Sequence, residues 1–226
     1  MDILYILGRG SKHEDMELRL SLRCLEKNAK GLDRVFIVGN CPEWVKNVIH
    51  IPAEDTFQAE SNAFQKILKG CTSSISDEFL LMNDDFFILK EIDVNNYPVW
   101  TRGVLEQKQE DDPYSRSINR TREFLLPYSK VPLNYEVHCP MKLNKYRMLM
   151  FEDIAERVKR AETGLLCRSL YGNIFDKYCK STPDTKIYKD EWKEPNETGC
   201  ISTSDDCDNI LKRIEQMYPN KSRWER

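Results

Sequence analysis

The stretch at residues 78–89, EFLLMNDDFFIL, constrains the fold more than any other part of the chain. Two apolar runs flank three polar residues, Asn83, Asp84 and Asp85. A continuous apolar run of this kind is typical of a strand buried on both faces, as in a parallel α/β sheet. Two adjacent carboxylates at the end of such a strand are costly unless a cation compensates them, and Mg²⁺ or Mn²⁺ held together with a diphosphate does so. A surface turn between two strands is the alternative, since Asn-Asp is common in turns.

Length and composition indicate an ordinary globular chain. The 226 residues favour one domain over two, and the net charge of −3 argues against wholesale wrapping of nucleic acid, though not against a local basic patch. No segment approaches the ~18 consecutive apolar residues of a membrane span, and the N-terminus lacks the order of a signal peptide, so we expect a cytoplasmic protein.

Cysteine spacing excludes the common metal motifs. None of the eight cysteines forms a CxxC pair, which disfavours a structural zinc site, and buried reduced thiols are the expected state. Cys139, which directly follows His138, is considered as a nucleophile, but a small core residue is the favoured interpretation.

Residues 1–90 predict a nucleotide-binding α/β half. The pattern predicts strands at residues 2–7, 34–38 and 48–51, and helices at residues 15–28 and 58–70. Asp15 is the expected N-cap of the first helix. This alternation implies a parallel sheet whose ligand lies at the carboxyl ends of the strands. The turn after the first strand contains Gly8 and Arg9, which is weak support for phosphate binding.

Residues 91–226 form the predicted second half of the same domain. Arg116, Arg120 and Arg122 are spaced either to meet phosphates or to form a solvated helix face. The pattern further predicts an amphipathic helix at residues 151–161 and a long loop or edge hairpin at residues 180–204. A last helix is expected to be capped by Asp205 and to turn Met217 inward.

Four stretches, in order, resemble one enzyme family, the Stealth family of sugar-phosphate transferases. They are residues 17–45, residues 60–68 (ESNAFQKIL) with the acidic strand, YEVHCPMKLNK at 135–145 with CRS at 167–169, and MYPNKSRWE at 217–225. The start of the chain departs from the family, which opens Y-T-W-V-D/N-G where this chain has YILGRG. More broadly, the strand order and acidic pair are similar to the GT-A glycosyltransferases.

The resemblance implies a metal-dependent site. Asp84 and Asp85 would hold Mg²⁺ or Mn²⁺ on the diphosphate of a nucleotide-sugar donor, a UDP-sugar being favoured, with Asp85 also counted as catalytic. Asn83 would orient a carboxylate or a phosphate oxygen. The turn residues Gly8 and Arg9 are also counted as donor-binding, and the resemblance adds Ser61 and Asn62. On pattern alone, Ser61 and Asn62 are ordinary helix-capping residues.

Two further residues take catalytic roles under the same resemblance. His138 would act as general base on the acceptor hydroxyl, and Arg168 would clamp the transferred phosphate or the diphosphate. Without the resemblance, His138 is the end of a strand and Arg168 a surface ion-pair partner. Trp224 is either a packing anchor or a residue that closes the site.

Several functions remain open from the sequence. The enzyme would transfer either a sugar-1-phosphate, which the resemblance favours, or a sugar, and a glycan is the favoured acceptor. One alternative is a glycosyltransferase acting on hydroxymethylated bases of phage DNA, with the three arginines as a basic strip. Another is an inactive module that binds a sugar nucleotide or glycan. A homodimer is kept open as the oligomeric state.

Overall fold

The structure, a computed structural model, describes residues 1–9, 11–176 and 178–226. Strands and helices alternate along its first half, and short strands dominate part of its second half. In chain order the elements are β1 (Asp2–Leu7), α1 (Met16–Asn28), β2 (Ala29–Lys30), β3 (Val35–Gly39), β4 (Ile49–Ile51), α2 (Ala59–Cys71), β5 (Glu78–Asn83), β6 (Phe86–Ile88), β7 (Ile92–Asp93), β8 (Trp100–Thr101), α3 (Pro113–Leu125), β9 (Met141–Asn144), α4 (Lys145–Leu149), α5 (Glu152–Val158), α6 (Cys167–Phe175), β10 (Lys180–Ser181), β11 (Lys186–Ile187), β12 (Cys200–Thr203) and α7 (Asp208–Met217).

The central sheet has five strands in the order β4-β3-β1-β5-β9. All neighbours pair in parallel except β9, which runs antiparallel to β5. The predicted mainly parallel α/β sheet is therefore confirmed, and β1 has the bounds that the sequence predicted. Because β9 comes from the second half of the chain, the central sheet joins both predicted halves; the division near residue 90 stays a prediction.

Helices cover both faces of this sheet because its three interior strands, β1, β3 and β5, are apolar on both faces. Alternate residues of β1 point to opposite sides: Leu4 packs in a cluster with Phe64 of α2, whereas Tyr5 packs in a second cluster with Leu22 of α1. Burying a side chain of this size stabilises the fold by about 1.5–3 kcal/mol. This two-sided burial agrees with the position of β1 as the middle strand of the sheet, paired with β3 on one side and β5 on the other.

The chain leaves the central sheet at the acidic pair. β5 ends at Asn83, Asp84 and Asp85 form a turn, and β6 enters a second sheet of order β11-β12-β6. The apolar stretch that surrounds the pair is thus two strands in two sheets rather than one interrupted strand. Both carboxylates lie at the joint between the sheets, where their positions are fixed from both sides.

Residues 180–204 differ from the expected loop or edge hairpin. They contain three strands, of which β12 is the central strand of the second sheet, antiparallel to β6 and parallel to β11. Ile201 of β12 packs with Phe87 of β6 and Ile210 of α7 in a third apolar cluster. Long-range burial therefore stabilises strands that are too short to show a periodic pattern.

Three expectations about the ends of helices are met in part or not at all. Asp15 occupies the N-cap position of α1, but its backbone is left-handed at φ 59° and its side chain makes no capping hydrogen bond. Asp205 does not cap the last helix, which begins at Asp208; instead Asp190 accepts hydrogen bonds from the N–H groups of Asn209 and Ile210. Met217 is 46% exposed rather than buried.

None of the helices in the described part of the chain is long and apolar enough to cross a membrane. All eight cysteines lie within the described residues, and none forms a disulfide. Cys139 is a core residue: it is buried, and this burial raises the pKa of its thiol to about 12, so it is not a thiolate at neutral pH.

Candidate active site

A cleft runs along the carboxyl edge of the central sheet. β1 and β5 are neighbours, with Ile6 paired to Asn83, so the residues that follow these two strands meet at one edge. Three adjoining cavities form the cleft. The acidic cavity, about 270 Å³, contains Asp84 and Asp85; the middle cavity, about 390 Å³, adjoins it through Gly8 and Arg9. The histidine cavity, about 210 Å³, contains His138 and shares Asn83 with the middle cavity.

Asp85 in the acidic cavity is held by two residues of the second sheet. Its Oδ2 accepts hydrogen bonds from Lys186 Nζ at 2.7 Å and from Ser202 Oγ at 2.6 Å. Both donors come from residues 180–204, which the sequence predicted as a long loop or edge hairpin. They fix the direction of the Asp85 carboxylate, and the described residues donate no hydrogen bond to its Oδ1.

Asp84 has the opposite environment. Burial raises the pKa of its carboxyl to about 7, helped by the neighbouring charges of Asp85 and Glu17. No described residue other than Asp84 itself donates a hydrogen bond to this carboxylate. A half-buried acid whose only donor is its own backbone N–H, beside further carboxylates, is stabilised in its ionised form when a cation approaches.

The donor set fits a divalent cation that is shared with a ligand. Within the described residues no group of three or more His, Cys, Asp or Glu side chains is arranged to hold a metal ion unaided. Asp84 and the Oδ1 atom of Asp85 nevertheless supply two carboxylate groups to the acidic cavity, neither held there by another described residue. Mg²⁺ commonly takes one or two carboxylates and completes its shell with phosphate oxygens and water.

Gly8 and Arg9 line the boundary between the acidic and middle cavities. Arg9 is exposed and forms no salt bridge with any described residue. Behind them Lys66 is buried, pairs with Asp55 and donates a hydrogen bond to the Leu7 carbonyl at 2.8 Å. Lys66 therefore anchors the end of β1, while the guanidinium of Arg9 remains available to an anion.

Asn62 lines the middle cavity, and Ser61 is buried beneath it. Helix α2 begins at Ala59 with Gln58 as N-cap, and Gln58 Nε2 donates to Ser61 Oγ at 2.7 Å. Asn62 Oδ1 accepts from the N–H groups of Thr56 and Phe57. These contacts shape the loop before α2, so neither side chain caps the helix in the usual way. Their predicted donor contacts stay a prediction.

His138 is held as an oriented imidazole. Its Nδ1 donates a hydrogen bond to Asp184 Oδ1 at 2.8 Å, and Asp184 also pairs with Arg102. Burial alone would raise the pKa of Asp184, but the hydrogen bond from His138 and the charge of Arg102 outweigh it and hold the pKa below 3.8. An ionised Asp184 fixes the proton on Nδ1 and leaves Nε2 as the basic nitrogen.

The backbone at His138 supports the same conclusion. Its φ of 53° lies in the left-handed region, which non-glycine residues seldom adopt. Strain of this kind persists where surrounding contacts over-determine a conformation, and it clusters at functional sites. Thr185 supplies one such contact, since its Oγ1 donates to the His138 carbonyl at 2.5 Å. The expectation that His138 merely ends a strand does not account for this geometry.

Arg168 is a buried cation that no described carboxylate balances. It lies in the first turn of α6, is 7% exposed, and lines the histidine cavity. Its guanidinium donates to the Cys139 carbonyl at 2.9 Å and to Asn83 Oδ1 at 3.1 Å, and it lies over the Phe86 ring at 5.1 Å. The surface ion-pair interpretation is therefore wrong. Buried charges are normally paired, so this guanidinium is prepared for an anion.

Two carboxylates complete the histidine cavity. Glu136 Oε1 accepts hydrogen bonds from Ser169 N at 3.0 Å and Ser169 Oγ at 2.9 Å, which leaves Oε2 without a donor from the described residues. Glu60 lies on the same cavity, and burial chiefly raises the pKa of its carboxyl. Carboxylate oxygens beside an apolar wall are suited to accept hydrogen bonds from hydroxyl groups.

Most of the predicted site residues come together. Eight of the nine line the cleft, namely Gly8, Arg9, Asn62, Asn83, Asp84, Asp85, His138 and Arg168. Ser61 is buried beneath it. The prediction missed four residues: Glu136 and Lys186, which line the cleft, and Asp184 and Ser202, which hold His138 and Asp85. Of these, only Glu136 lies in a stretch that resembles the Stealth family.

Other residues considered from the sequence lie elsewhere. Arg116 pairs with Asp111 at 2.8 Å and Arg120 donates to the Thr163 carbonyl, so these two arginines do not present an open basic strip. Trp224 is buried in an apolar cluster with Val45. It is a packing anchor that fixes the C-terminal segment.

Two solved structures of LgtC are similar to this chain over nearly its whole length. An active-site mutant of LgtC aligns over 99% of this chain and 98% of its own, with a TM-score of 0.57 and 7% identity. The galactosyltransferase LgtC, in complex with donor and acceptor sugar analogs, aligns over 98% and 96%, with a TM-score of 0.58 and 9% identity. No protein-family profile and no curated protein matches the sequence. The chain therefore has the predicted GT-A-like fold, while membership of the Stealth family stays a prediction.

Proposed function

We propose that this chain is a metal-dependent nucleotide-sugar transferase that moves a sugar-1-phosphate to an acceptor hydroxyl, with a glycan as the favoured acceptor. One observation carries the proposal: a single cleft holds the acidic pair at one end and, at the other, an oriented His138 beside the unbalanced guanidinium of Arg168. An acidic pair suits a metal–diphosphate, and a base beside a buried cation suits activation of a hydroxyl next to phosphate.

The donor occupies the acidic and middle cavities in this proposal. Asp84 and Asp85 Oδ1 would hold Mg²⁺ or Mn²⁺, which would neutralise the diphosphate and stabilise the leaving nucleotide. Arg9 contacts the diphosphate from the boundary of the two cavities. Asn83 accepts a hydrogen bond from Arg168, so it fixes the guanidinium relative to the acidic pair. A UDP-sugar is the favoured donor.

The acceptor occupies the histidine cavity. His138 Nε2 removes the proton from the attacking hydroxyl, and Asp184 stabilises the imidazolium that results. Glu136 Oε2 accepts a hydrogen bond from a second hydroxyl of the acceptor and orients it. General base catalysis of this kind contributes roughly 10²–10⁴-fold to a rate.

Arg168 favours attack at phosphorus over attack at the anomeric carbon. The guanidinium and His138 line the same small cavity, so a phosphate oxygen bound by Arg168 lies beside the hydroxyl that His138 activates. Attack on the β-phosphorus would release a nucleoside monophosphate. Attack on the anomeric carbon would release a nucleoside diphosphate and remains the second candidate, since the GT-A-like fold of LgtC serves a galactosyltransferase.

Neither remaining alternative gains support from the geometry. A DNA acceptor requires an open basic strip, and Arg116 is neutralised by Asp111. An inactive binding module has no need of a histidine oriented by a carboxylate in a strained backbone conformation.

The test is the identity of the nucleotide released from a panel of nucleotide sugars, with Mg²⁺ or Mn²⁺ and with glycan or hydroxymethylated-DNA acceptors. Mass spectrometry should detect a nucleoside monophosphate that depends on metal and acceptor. A nucleoside diphosphate would move the protein to ordinary glycosyl transfer. No release with any donor, together with unchanged nucleotide-sugar binding by Asp84→Ala, would refute the metal-site argument.

A further inference from the structure

We propose that Lys186 binds the diphosphate of the donor and pairs with Asp85 while no donor is bound. In this way Lys186 couples binding of the metal to binding of the diphosphate. This inference rests on the proposed function. It goes further by giving a role to a residue that neither the sequence patterns nor the resemblance singled out.

The position of Lys186 is unusual for a structural lysine. It lies on β11, 101 residues from Asp85 along the chain, and its Nζ donates to Asp85 Oδ2 at 2.7 Å. Its side chain keeps 18% of its exposure and lines the acidic cavity together with Asp84 and Arg9. The ammonium therefore lies inside the cavity that suits a metal–diphosphate.

In this arrangement the two oxygens of the Asp85 carboxylate have different partners, the Lys186 ammonium and the proposed metal ion. Both donors to Asp85 use Oδ2, and Oδ1 remains for a metal ion. A divalent ion on Oδ1 would lie within a few ångströms of the Lys186 ammonium, and the two positive charges would repel each other. Lys186 therefore lowers the affinity of the empty cleft for the metal.

A diphosphate reverses this effect. Its oxygens accept hydrogen bonds from an ammonium, and lysine is a common phosphate ligand that acts as a point charge on a flexible stem. When the diphosphate binds, Lys186 turns from Asp85 to a phosphate oxygen and Asp85 is left to the metal. Metal and diphosphate then each strengthen binding of the other, and this coupling is reciprocal by thermodynamic necessity.

A purely structural role makes a different prediction. If Lys186 only tied β11 to the turn at Asp85, its removal would loosen the acidic pair, and both metal and diphosphate would bind more weakly. The coupling role requires effects of opposite sign, so the two roles are separable by binding measurements alone.

The experiment compares the full chain with Lys186→Met, Lys186→Arg and Lys30→Met. Lys30 is a matched control, since its Nζ pairs with Glu91 at 2.7 Å but both side chains are exposed and lie outside the cleft. Binding of Mn²⁺ alone is followed by electron paramagnetic resonance. Binding of uridine and guanosine diphosphates, without and with Mn²⁺, is followed by calorimetry, and circular dichroism checks that each variant is folded.

For Lys186→Met we expect Mn²⁺ alone to bind several-fold more tightly and the diphosphate to bind roughly tenfold more weakly, since a charge-assisted hydrogen bond is lost. Lys186→Arg should restore much of the diphosphate affinity, and Lys30→Met should match the parent.

Weaker Mn²⁺ binding or unchanged diphosphate binding in folded Lys186→Met would overturn the inference while leaving the proposed function intact. A parent that binds neither diphosphate with Mn²⁺ would overturn both. A Lys186→Met that does not fold would assign Lys186 the structural role, unless Lys186→Gln folds and shows the opposed changes.

Discussion

His138 and Asp184 lie 46 residues apart in the sequence, yet the imidazole Nδ1 donates to the Asp184 carboxylate at 2.8 Å. Asp184 is held in turn by Arg102, so the pair is part of a fixed network rather than a chance surface contact. The hydrogen bond to Asp184 orients His138 as a base, and the sequence alone does not reveal this contact.

Replacing Asp184 with Asn tests this relationship. Asp184→Asn keeps the size of the side chain but removes the charge that fixes the Nδ1 proton and stabilises the imidazolium. We expect kcat to fall by roughly 10²-fold or more with the donor KM nearly unchanged. Steady-state kinetics with the donor concentration varied checks this, since it gives kcat and the donor KM separately. Asp111→Asn, which breaks an exposed pair with Arg116, is the control. Kinetics of Asp184→Asn equal to those of the parent would contradict the role of Asp184 in orienting His138.

Replacing Arg168 with Lys tests the buried cation. Lysine keeps the charge but cannot bond both the Cys139 carbonyl and Asn83 while facing a phosphate. We expect roughly 10²-fold lower kcat/KM, measured by donor turnover with metal at saturation. Arg147→Lys is a matched control because its guanidinium also lies over an aromatic ring, Phe175, at 5.6 Å. Equal losses in both variants would mean that ring packing, not phosphate binding, explains the effect.

Replacing Glu136 with Gln tests the acceptor side. Glu136→Gln retains an oxygen for the hydrogen bonds from Ser169 but replaces the free Oε2 with a donor group. We expect the acceptor KM to rise roughly tenfold while the donor KM stays within about twofold, since one hydrogen bond to a charged group is lost. Kinetics at varied acceptor concentration gives both values. A change confined to the donor KM would contradict this prediction, because it would mean that Glu136 contacts the donor and not the acceptor.

Stability at low pH should depend on Glu225. Burial alone would raise the pKa of this carboxyl, but the Arg23 and Ser222 hydrogen bonds outweigh burial and hold the pKa below 4.5. A depressed native pKa contributes stability that is complete above the unfolded value and is lost as pH falls below about 4.5. The free energy of unfolding should therefore decrease as pH falls below that value.

Glu225→Gln should remove this contribution. Glu225 is buried and its two oxygens accept from Arg23 at 2.9 Å each, so the variant leaves a guanidinium without its carboxylate. We expect about 3 kcal/mol of destabilisation at pH 7 and a smaller difference at pH 3, by urea unfolding. Glu91→Gln, in an exposed pair with Lys30, should change stability by less than about 1 kcal/mol. An equal loss at pH 3 and pH 7 would contradict the linkage.

Local signals predict much of the fold. β1 has the predicted bounds, and α2 is displaced by one residue from the predicted range of 58–70. These elements have strong apolar periodicity, and their burial in the central sheet agrees with it. The acidic pair at the end of β5 was likewise visible, because two carboxylates interrupt an apolar run.

The rest depends on contacts between distant segments. Lys186 and Ser202 reach Asp85 from 101 and 117 residues away, on strands of two and four residues. Such short strands show no periodic pattern, so residues 180–204 were predicted as a long loop or edge hairpin. Asp190 caps α7 from outside the helix, which a search for adjacent capping residues does not find. Domain division, oligomeric state and cellular location stay predictions.

The most direct test of the central claim is the mass of the acceptor glycan after incubation with the protein, a nucleotide sugar and Mn²⁺. The account predicts a mass increase of one sugar plus one phosphate, which is lost in His138→Gln and on chelation of the metal. An increase of a sugar alone would contradict attack at phosphorus. An unchanged acceptor mass across the donor panel, with the parent protein folded, would contradict the assignment of this cleft as a transferase site.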